Sequence, residues 1–380
     1  MHVLMVRSAL VDMGPGTQPL ALALELRRRG HRVSFATGGG VFIPEVEKQR
    51  FRVFVVPSLA PDRHDVRSLV EGVFALRRVI RSEKIDVVHG HNAAATMYGW
   101  LGGVLAGRHL PAATSVRGVE ERATHQRRNR IWRFLPGSLI AVCEKGRERL
   151  VSFGVPNERI LVSYNGVDLS KFDPDSADRA TVRTELGLKD EIVVATVGAM
   201  VGSVDWEGPS KGQHLLVQAL ALLQDRLPSL RVLLVGDGDM RSYVEETARR
   251  LNVADKVLFV GRRFDAPRML AAADIYCLPS VAGEFFPNSI VEAMAMGKPW
   301  VGSDIAGLSE LTAEGGAGLL VPVGDVDGLA QRLHTLATDE RLREEMGRRA
   351  RAEVEQRFTI VRVVDRVLAA YANAGATISA

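Results

Sequence analysis

Short runs rich in Val, Ile and Leu alternate along the chain with longer amphipathic stretches, the order expected of a parallel sheet flanked by helices. In the first half, strands are expected over 2–6, 31–36, 51–56, 86–89, 112–116 and 139–142. Helical segments separate most of them. One, over 17–29, sets Leu20, Leu22, Leu24 and Leu26 in a helix-forming run that Gly30 stops. Asn165 and Gly166 mark a turn, and the Asp- and Pro-containing stretch 168–178 reads as a linker. A second cycle follows, with strands expected over 191–198, 230–236, 256–261, 274–279, 298–303 and 318–322. The stretches 341–358 and 359–371 read as two closing helices.

The pattern predicts an α/β protein with two Rossmann-like domains, 1–167 and 168–357, and a C-terminal helix within 358–380 that returns to the first domain. A length of 380 residues, beyond the size at which one hydrophobic core keeps growing, agrees with two domains. Two open parallel sheets in tandem are expected to face a central cleft, and ligands in such sheets gather at the carboxyl ends of the strands. Candidate chemistry is therefore sought in the loops that follow strands.

A hydrophobic fraction of 46% and a charged fraction of 25% exclude a disordered chain. Cys143 and Cys277 lie in apolar surroundings without a CxxC partner and read as core residues. The longest apolar stretches, such as 192–197 and 232–235, fall far short of the roughly 20 residues of a membrane helix. The opening run leads into Arg7 and Asp12 with no cleavable signal behind it, so a cytoplasmic protein is expected. Charge is divided unevenly. Residues 1–165 hold 25 Lys plus Arg against 14 Asp plus Glu, a balance of +11, and the remainder holds 24 against 31, a balance of −7. The basic half reads either as a surface for an anionic acceptor or the inner face of a membrane, met peripherally, or as a solvated basic face.

The most informative window is 280–297, which follows an expected strand. Pro287 is expected in the first turn of a helix that Gly297 and Pro299 end. The free N–H groups and positive dipole end of that helix make a place for a diphosphate. Glu292 lies one turn beyond Asn288 on the same face, and its carboxylate can accept from two neighbouring hydroxyls, as ribose offers. Glu284, ahead of the helix, can reach another part of the ligand. Taken singly, Glu292 reads as balancing the helix dipole and Glu284 as a solvated loop residue; their spacing across a strand-to-helix turn favours a site.

With Glu284, Phe286, Pro287, Asn288 and Glu292, this window resembles the Glu, seven residues, Glu signature of retaining GT-B glycosyltransferases of family 4. Residues 160–168, followed by Phe172, Asp173 and Pro174, are similar to that family's interdomain segment. Val197-Gly198 with Lys211-Gly212, the stretch 234–238, and Val260-Gly261-Arg262 match its second domain in order. The resemblance covers nearly the whole chain. It implies a GT-B architecture, with Glu292 holding the donor ribose, Glu284 meeting the transferred sugar, Lys211 facing the diphosphate, and Arg262 at its base or phosphate end. Backbone N–H groups near Asn288 and Ser289 would cradle the phosphates. Gly16, in Gly14-Pro15-Gly16, stands where the family has a glycine-rich loop beside the diphosphate, although a plain tight turn explains these glycines equally well.

Two departures from the family pattern matter. Arg117 stands where members commonly have His, and Arg cannot act as a general base; it either holds an anionic group of acceptor or donor, or is a surface arginine. Ala199 stands where many members have Arg, and the loop from there to Lys211 also holds Asp205, Trp206 and Glu207. His89 and His91 end an expected cleft-facing strand; His91 is a candidate acceptor contact, and neither has the further ligands of a metal site.

The expected activity is metal-independent, cofactor-free, retaining transfer of a sugar from a nucleotide diphosphate donor, by expectation a UDP-sugar. The acceptor would be a hydroxyl on a glycan, a lipid-linked glycan or a small metabolite. A GT-B epimerase or a non-catalytic sugar-nucleotide-binding protein is the alternative. A dehydrogenase is disfavoured because the second strand ends Phe35-Ala36-Thr37-Gly38 without the carboxylate that holds an adenosine ribose. Nucleic-acid binding lacks a recognised module.

Overall fold

In the computed structural model the described residues are 1–380 without 12–16, 64, 118–128, 177, 203–206, 283, 313–315 and 379–380. The chain divides into two compact units, Met1–Gly166 with Ile360–Ala380, and Val167–Thr359.

The first unit runs β1 (His2–Arg7), α1 (Gln18–Arg28), β2 (Arg32–Thr37), α2 (Ile43–Lys48), β3 (Arg52–Val55), α3 (Val66–Glu83), β4 (Val87–Gly90), α4 (Ala93–Leu105), β5 (Ala112–Val116), β6 (Ser138–Ala141), α5 (Glu144–Ser152) and β7 (Ile160–Val162). Its seven strands are parallel, in the order β3-β2-β1-β4-β5-β6-β7. The central strands are buried on both faces, which is why they read as unbroken apolar runs rather than alternating ones. The sequence gives no separate strand signal for β7, because a three-residue edge strand carries too little pattern.

The second unit runs α6 (Arg179–Glu185), β8 (Ile192–Val197), α7 (Gln213–Leu223), β9 (Leu230–Val235), α8 (Arg241–Arg250), β10 (Val257–Gly261), α9 (Ala266–Ala272), β11 (Ile275–Leu278), α10 (Asn288–Ala295), β12 (Trp300–Ser303), α11 (Ser309–Thr312), β13 (Gly318–Val321), α12 (Val326–Thr338) and α13 (Glu340–Arg357). Its parallel sheet has the order β10-β9-β8-β11-β12-β13. Each sheet therefore reverses direction once, at β1/β4 and at β8/β11, and in doubly wound sheets such a switch point is where ligands bind.

The last helix, α14 (Ile360–Asn373), belongs to the first unit. Its Val364, Val367, Ala370 and Tyr371 are buried in one cluster with Leu20, Leu22 and Leu26 of α1. Arg29 and Asp365 are ion-paired at 2.5 Å above them. The boundaries differ from the expected 167/168 and 357/358 for a local reason. Val167 N donates to Phe358 O at 2.9 Å, and the Phe358 ring packs on Phe286 with centroids 5.4 Å apart. Val167 and Phe358 are thereby both held in the second unit, and the return begins only at Ile360.

Candidate functional site

Lys211 and Glu284 meet at the switch point of the second sheet. Lys211 stands at the end of the loop after β8 and Glu284 in the loop after β11, and those strands are neighbours. Gly212 permits the approach: its φ is +69°, and a Cβ there would sit 1.9 Å from the Pro279 carbonyl oxygen. Lys211 Nζ donates to Glu284 Oε1 in an ion pair, and Ser280 Oγ donates to the same oxygen at 3.2 Å. The Glu284 carboxylate is buried while the Lys211 side chain keeps 27% of its surface exposed. Burial lowers the Lys211 ammonium to about 8, and the carboxylate against it favours the charged form.

Helix α10 carries the rest of this site. Ile290, Val291, Ala293, Met294 and Ala295 are buried, leaving Asn288, Ser289 and Glu292 on the other side, one turn apart. Pro287 is the N-cap, extended at φ −74° and ψ 123°, rather than a first-turn residue as expected from the sequence. Its missing N–H leaves the helix to begin at Asn288, whose first-turn N–H groups have no helical carbonyl ahead of them. The far end is fixed: Gly297 turns the chain at φ +67°, and Arg351 Nη1 donates to Ala295 O at 2.6 Å. Tyr276 of β11 donates its O–H to Val197 O at 3.3 Å. Burial pushes the Glu292 carboxyl up to about 7. Arg262 is exposed immediately after β10, two places from β8 in the sheet. Among the described residues, no group of three or more His, Cys, Asp or Glu could hold a metal ion.

A second cluster lies at the switch point of the first sheet. Arg7 ends β1, His91 follows β4 and Arg117 follows β5, three adjacent strands. His91 N donates to Val6 O at 3.0 Å, and its ring stacks on His89 with centroids 4.6 Å apart. His91 is buried, and neither ring nitrogen has a hydrogen-bond partner among the described residues. His89 differs from the expectation of a cleft contact. Its ring nitrogens are engaged by Tyr371 Oη and Ser115 Oγ, each at 2.8 Å, and burial lowers it to about 3, the state of a neutral core histidine. Arg117 Nη1 donates to Asn165 Oδ1 at 2.9 Å, so this arginine is not a plain surface residue; burial, then the charge of Arg7, lower it to about 9. Gly16, together with Asp205 and Trp206, lies outside the described residues.

Three contributors were not singled out in the sequence. Ser280 directly follows the Pro279 end of an expected strand, a position that could have marked it. Arg7 is a charge closing an apolar run. The Asn165–Arg117 contact spans 48 positions and has no local signal.

Residues 14–171 match the family described as Glycosyltransferase Family 4, and residues 195–339 match the family described as Glycosyl transferases group 1. The chain is 25% identical to an N-acetyl-alpha-D-glucosaminyl L-malate synthase of Bacillus anthracis over 93% of this chain and 92% of that protein. It is 34% identical to a D-inositol 3-phosphate glycosyltransferase of Kribbella flavida over 62% of this chain and 56% of the relative. In fold it is similar to the Anabaena protein HepE solved with UDP and glucose, with a TM-score of 0.81 at 24% identity, covering 97% of this chain and 99% of that one.

Proposed function

The chain belongs to glycosyltransferase family 4, and from that premise we propose that it moves a sugar from a UDP-sugar to an acceptor hydroxyl, with retention of configuration and without a metal. The observation that carries this reading is the Lys211–Glu284 pair at the β8/β11 switch point, its carboxylate buried in the loop that leads into α10. HepE, similar in fold, was solved with UDP and glucose, which supports the choice of uridine.

Each residue takes a role its setting suits. The first-turn N–H groups of α10 near Asn288 and Ser289, with the dipole behind them, receive the diphosphate, and Lys211 adds the cationic charge. Glu292 accepts from the ribose hydroxyls. Arg262 serves the base or phosphate end. Glu284 faces the transferred sugar and holds Lys211 in place until the donor arrives. The bond from the anomeric carbon to the diphosphate then breaks, its electron pair leaving with the phosphate. The acceptor oxygen bonds to that carbon on the same face, and its proton passes to the departing phosphate oxygen. Such front-face attack needs no protein base, so Arg117 in place of His is tolerated.

The acceptor is assigned to the first unit, with His91 and Arg117 as its contacts. Two relatives are named for L-malate and D-inositol 3-phosphate, which keeps a small metabolite beside a glycan or lipid-linked acceptor. Peripheral contact with an anionic membrane is part of the same reading. It is supported by α3, whose Val66, Val70 and Phe74 are exposed beside Arg67, Arg78 and Arg81.

Calorimetric titration with UDP, GDP and ADP, followed by NMR assignment of the product anomer, tests the reading. UDP is expected to bind tightest and the product to keep the donor's configuration, with the rate unchanged in EDTA. An inverted product, or a rate that collapses in EDTA and returns with manganese or magnesium, overturns it.

A further inference from the structure

The residues at the β1/β4/β5 edge share a property that hydroxyl recognition alone leaves unexplained. His91 offers two buried ring nitrogens and Arg117 a buried Nε, none of them with a hydrogen-bond partner among the described residues. Among the described residues Arg117 makes one hydrogen bond, to the neutral amide of Asn165, and no carboxylate pairs with it. Arg7 ends the strand next to the one His91 follows, and its charge acts on both His91 and Arg117. Two guanidinium groups and a neutral imidazole thus converge where the sheet reverses. A buried cation such as Arg117, with no carboxylate against it among the described residues, is costly, and water satisfies its N–H groups without balancing its charge.

We propose that this edge is an anion-recognition site, and that, if the first unit takes the acceptor as read above, the acceptor carries a carboxylate or phosphate that Arg117 and His91 bind. The planar fork of Arg117, anchored at Nη1 by Asn165, presents Nε and the remaining N–H groups to two oxygens of one anion. His91, held neutral by burial and by the neighbouring charges, donates one further N–H without adding charge. Asn165 sets the rotation of the fork and so acts as a positioning residue.

Full-length protein saturated with UDP, which fills the diphosphate site, is titrated calorimetrically with inorganic phosphate and, separately, with malonate. The proteins are wild type, Arg117→Met, Arg117→Lys and Lys211→Ala. One or both anions are expected to bind wild type at one site, with affinity reduced about tenfold or more in Arg117→Met and partly kept in Arg117→Lys. The arm that binds tells phosphate from carboxylate recognition. Melting without added anion guards against misfolding: Arg117→Met is expected to melt at or above wild type, because it removes a buried charge with no carboxylate partner among the described residues, and wild type should gain from the anion where Arg117→Met does not. Binding of neither anion to wild type, or binding unchanged in Arg117→Met, overturns the proposal. Anion binding that depends on Arg117 in a protein that fails to bind UDP upholds it and sinks the donor reading instead.

Discussion

At the scale of single residues, the pair Lys211 and Glu284 decides most. Because the Glu284 carboxylate is buried and, among the described residues, is met by Lys211 and Ser280, Lys211→Ala strands a buried charge and, on the proposed reading, also removes a partner of the diphosphate. Lys211→Ala is expected to lower kcat by about 10²-fold, the scale of losing one group aimed at developing charge, and also to lower Tm. The double variant Lys211→Ala/Glu284→Gln should recover Tm and leave kcat low; recovery of the rate as well would show that Lys211 acts only on stability. Glu292 gives a test by pH. Its carboxyl is raised from 4.5 to about 7, so the unfolded chain ionises first and the favourable contribution, complete below about 4.5, is lost as pH rises through about 7. Glu292→Gln should therefore melt higher than wild type at pH 8, with the gap closing toward pH 4.5. UDP affinity should rise through about pH 7 in wild type more than in Glu292→Gln, since ribose hydroxyls donate best to the ionised form; equal pH profiles would remove Glu292 from the donor site. Lys211 was legible because a glycine follows it in the loop after an expected strand, and Glu284 and Glu292 because their spacing spans a strand-to-helix turn marked by Pro287. Ser280 was not, because a serine after a strand has no pattern of its own.

At the scale of elements, what positions the site is backbone close to backbone. Gly212 sits in the left-handed region with the Pro279 carbonyl where a Cβ would go, which locks the loop carrying Lys211 onto the end of β11. Gly212→Ala meets a left-handed cost of about 1–2 kcal/mol and a collision with a carbonyl that cannot swing away. Chemical denaturation should show a loss of at least that size, and UDP affinity should fall with it; wild-type values for both would mean that the loop is not what places Lys211. The same logic holds α10 from behind, where a Cβ on Gly347 of α13 would lie 2.2 Å from Gly297 O. Strand and helix positions were legible because buried parallel strands are unbroken apolar runs and glycine or proline ends the helices between them. The start of α10 moved by one residue because a proline satisfies the N-cap and the first turn almost equally well, and only the extended ψ of Pro287 tells them apart. Strand β7 lay hidden for the opposite reason: three residues at an edge hold no period to read.

At the scale of the whole molecule, the division into two parallel-sheet units was legible as two cycles of the same pattern, and the charge division follows it. Ile360–Ala380 adds Arg362 and Arg366 against Asp365, so the first unit holds +12 and the second −8 of the total +4. Within the first unit, α3 buries Val73, Leu76, Val79 and Ile80 against its sheet and neighbouring helix and turns Val70 and Phe74 outward, 48% and 46% exposed. Exposed apolar side chains flanked by arginines suit the boundary between headgroups and acyl chains, and each basic residue near an anionic surface contributes about 1 kcal/mol. No helix of the described residues is long and apolar enough to cross a membrane, so any association through α3 would be at the surface. Co-sedimentation with vesicles is therefore expected to retain the protein when they contain an anionic phospholipid and to release it when they are zwitterionic. Raising salt from 0.1 to 1 M shortens the screening length from about 10 to about 3 Å and should remove most of the binding. Val70→Ser/Phe74→Ser should weaken what remains at high salt without lowering Tm, because both side chains already face water. Equal sedimentation with neutral and anionic vesicles, or none with either, would confine the basic surplus of the first unit to its switch-point edge and remove the membrane from the account.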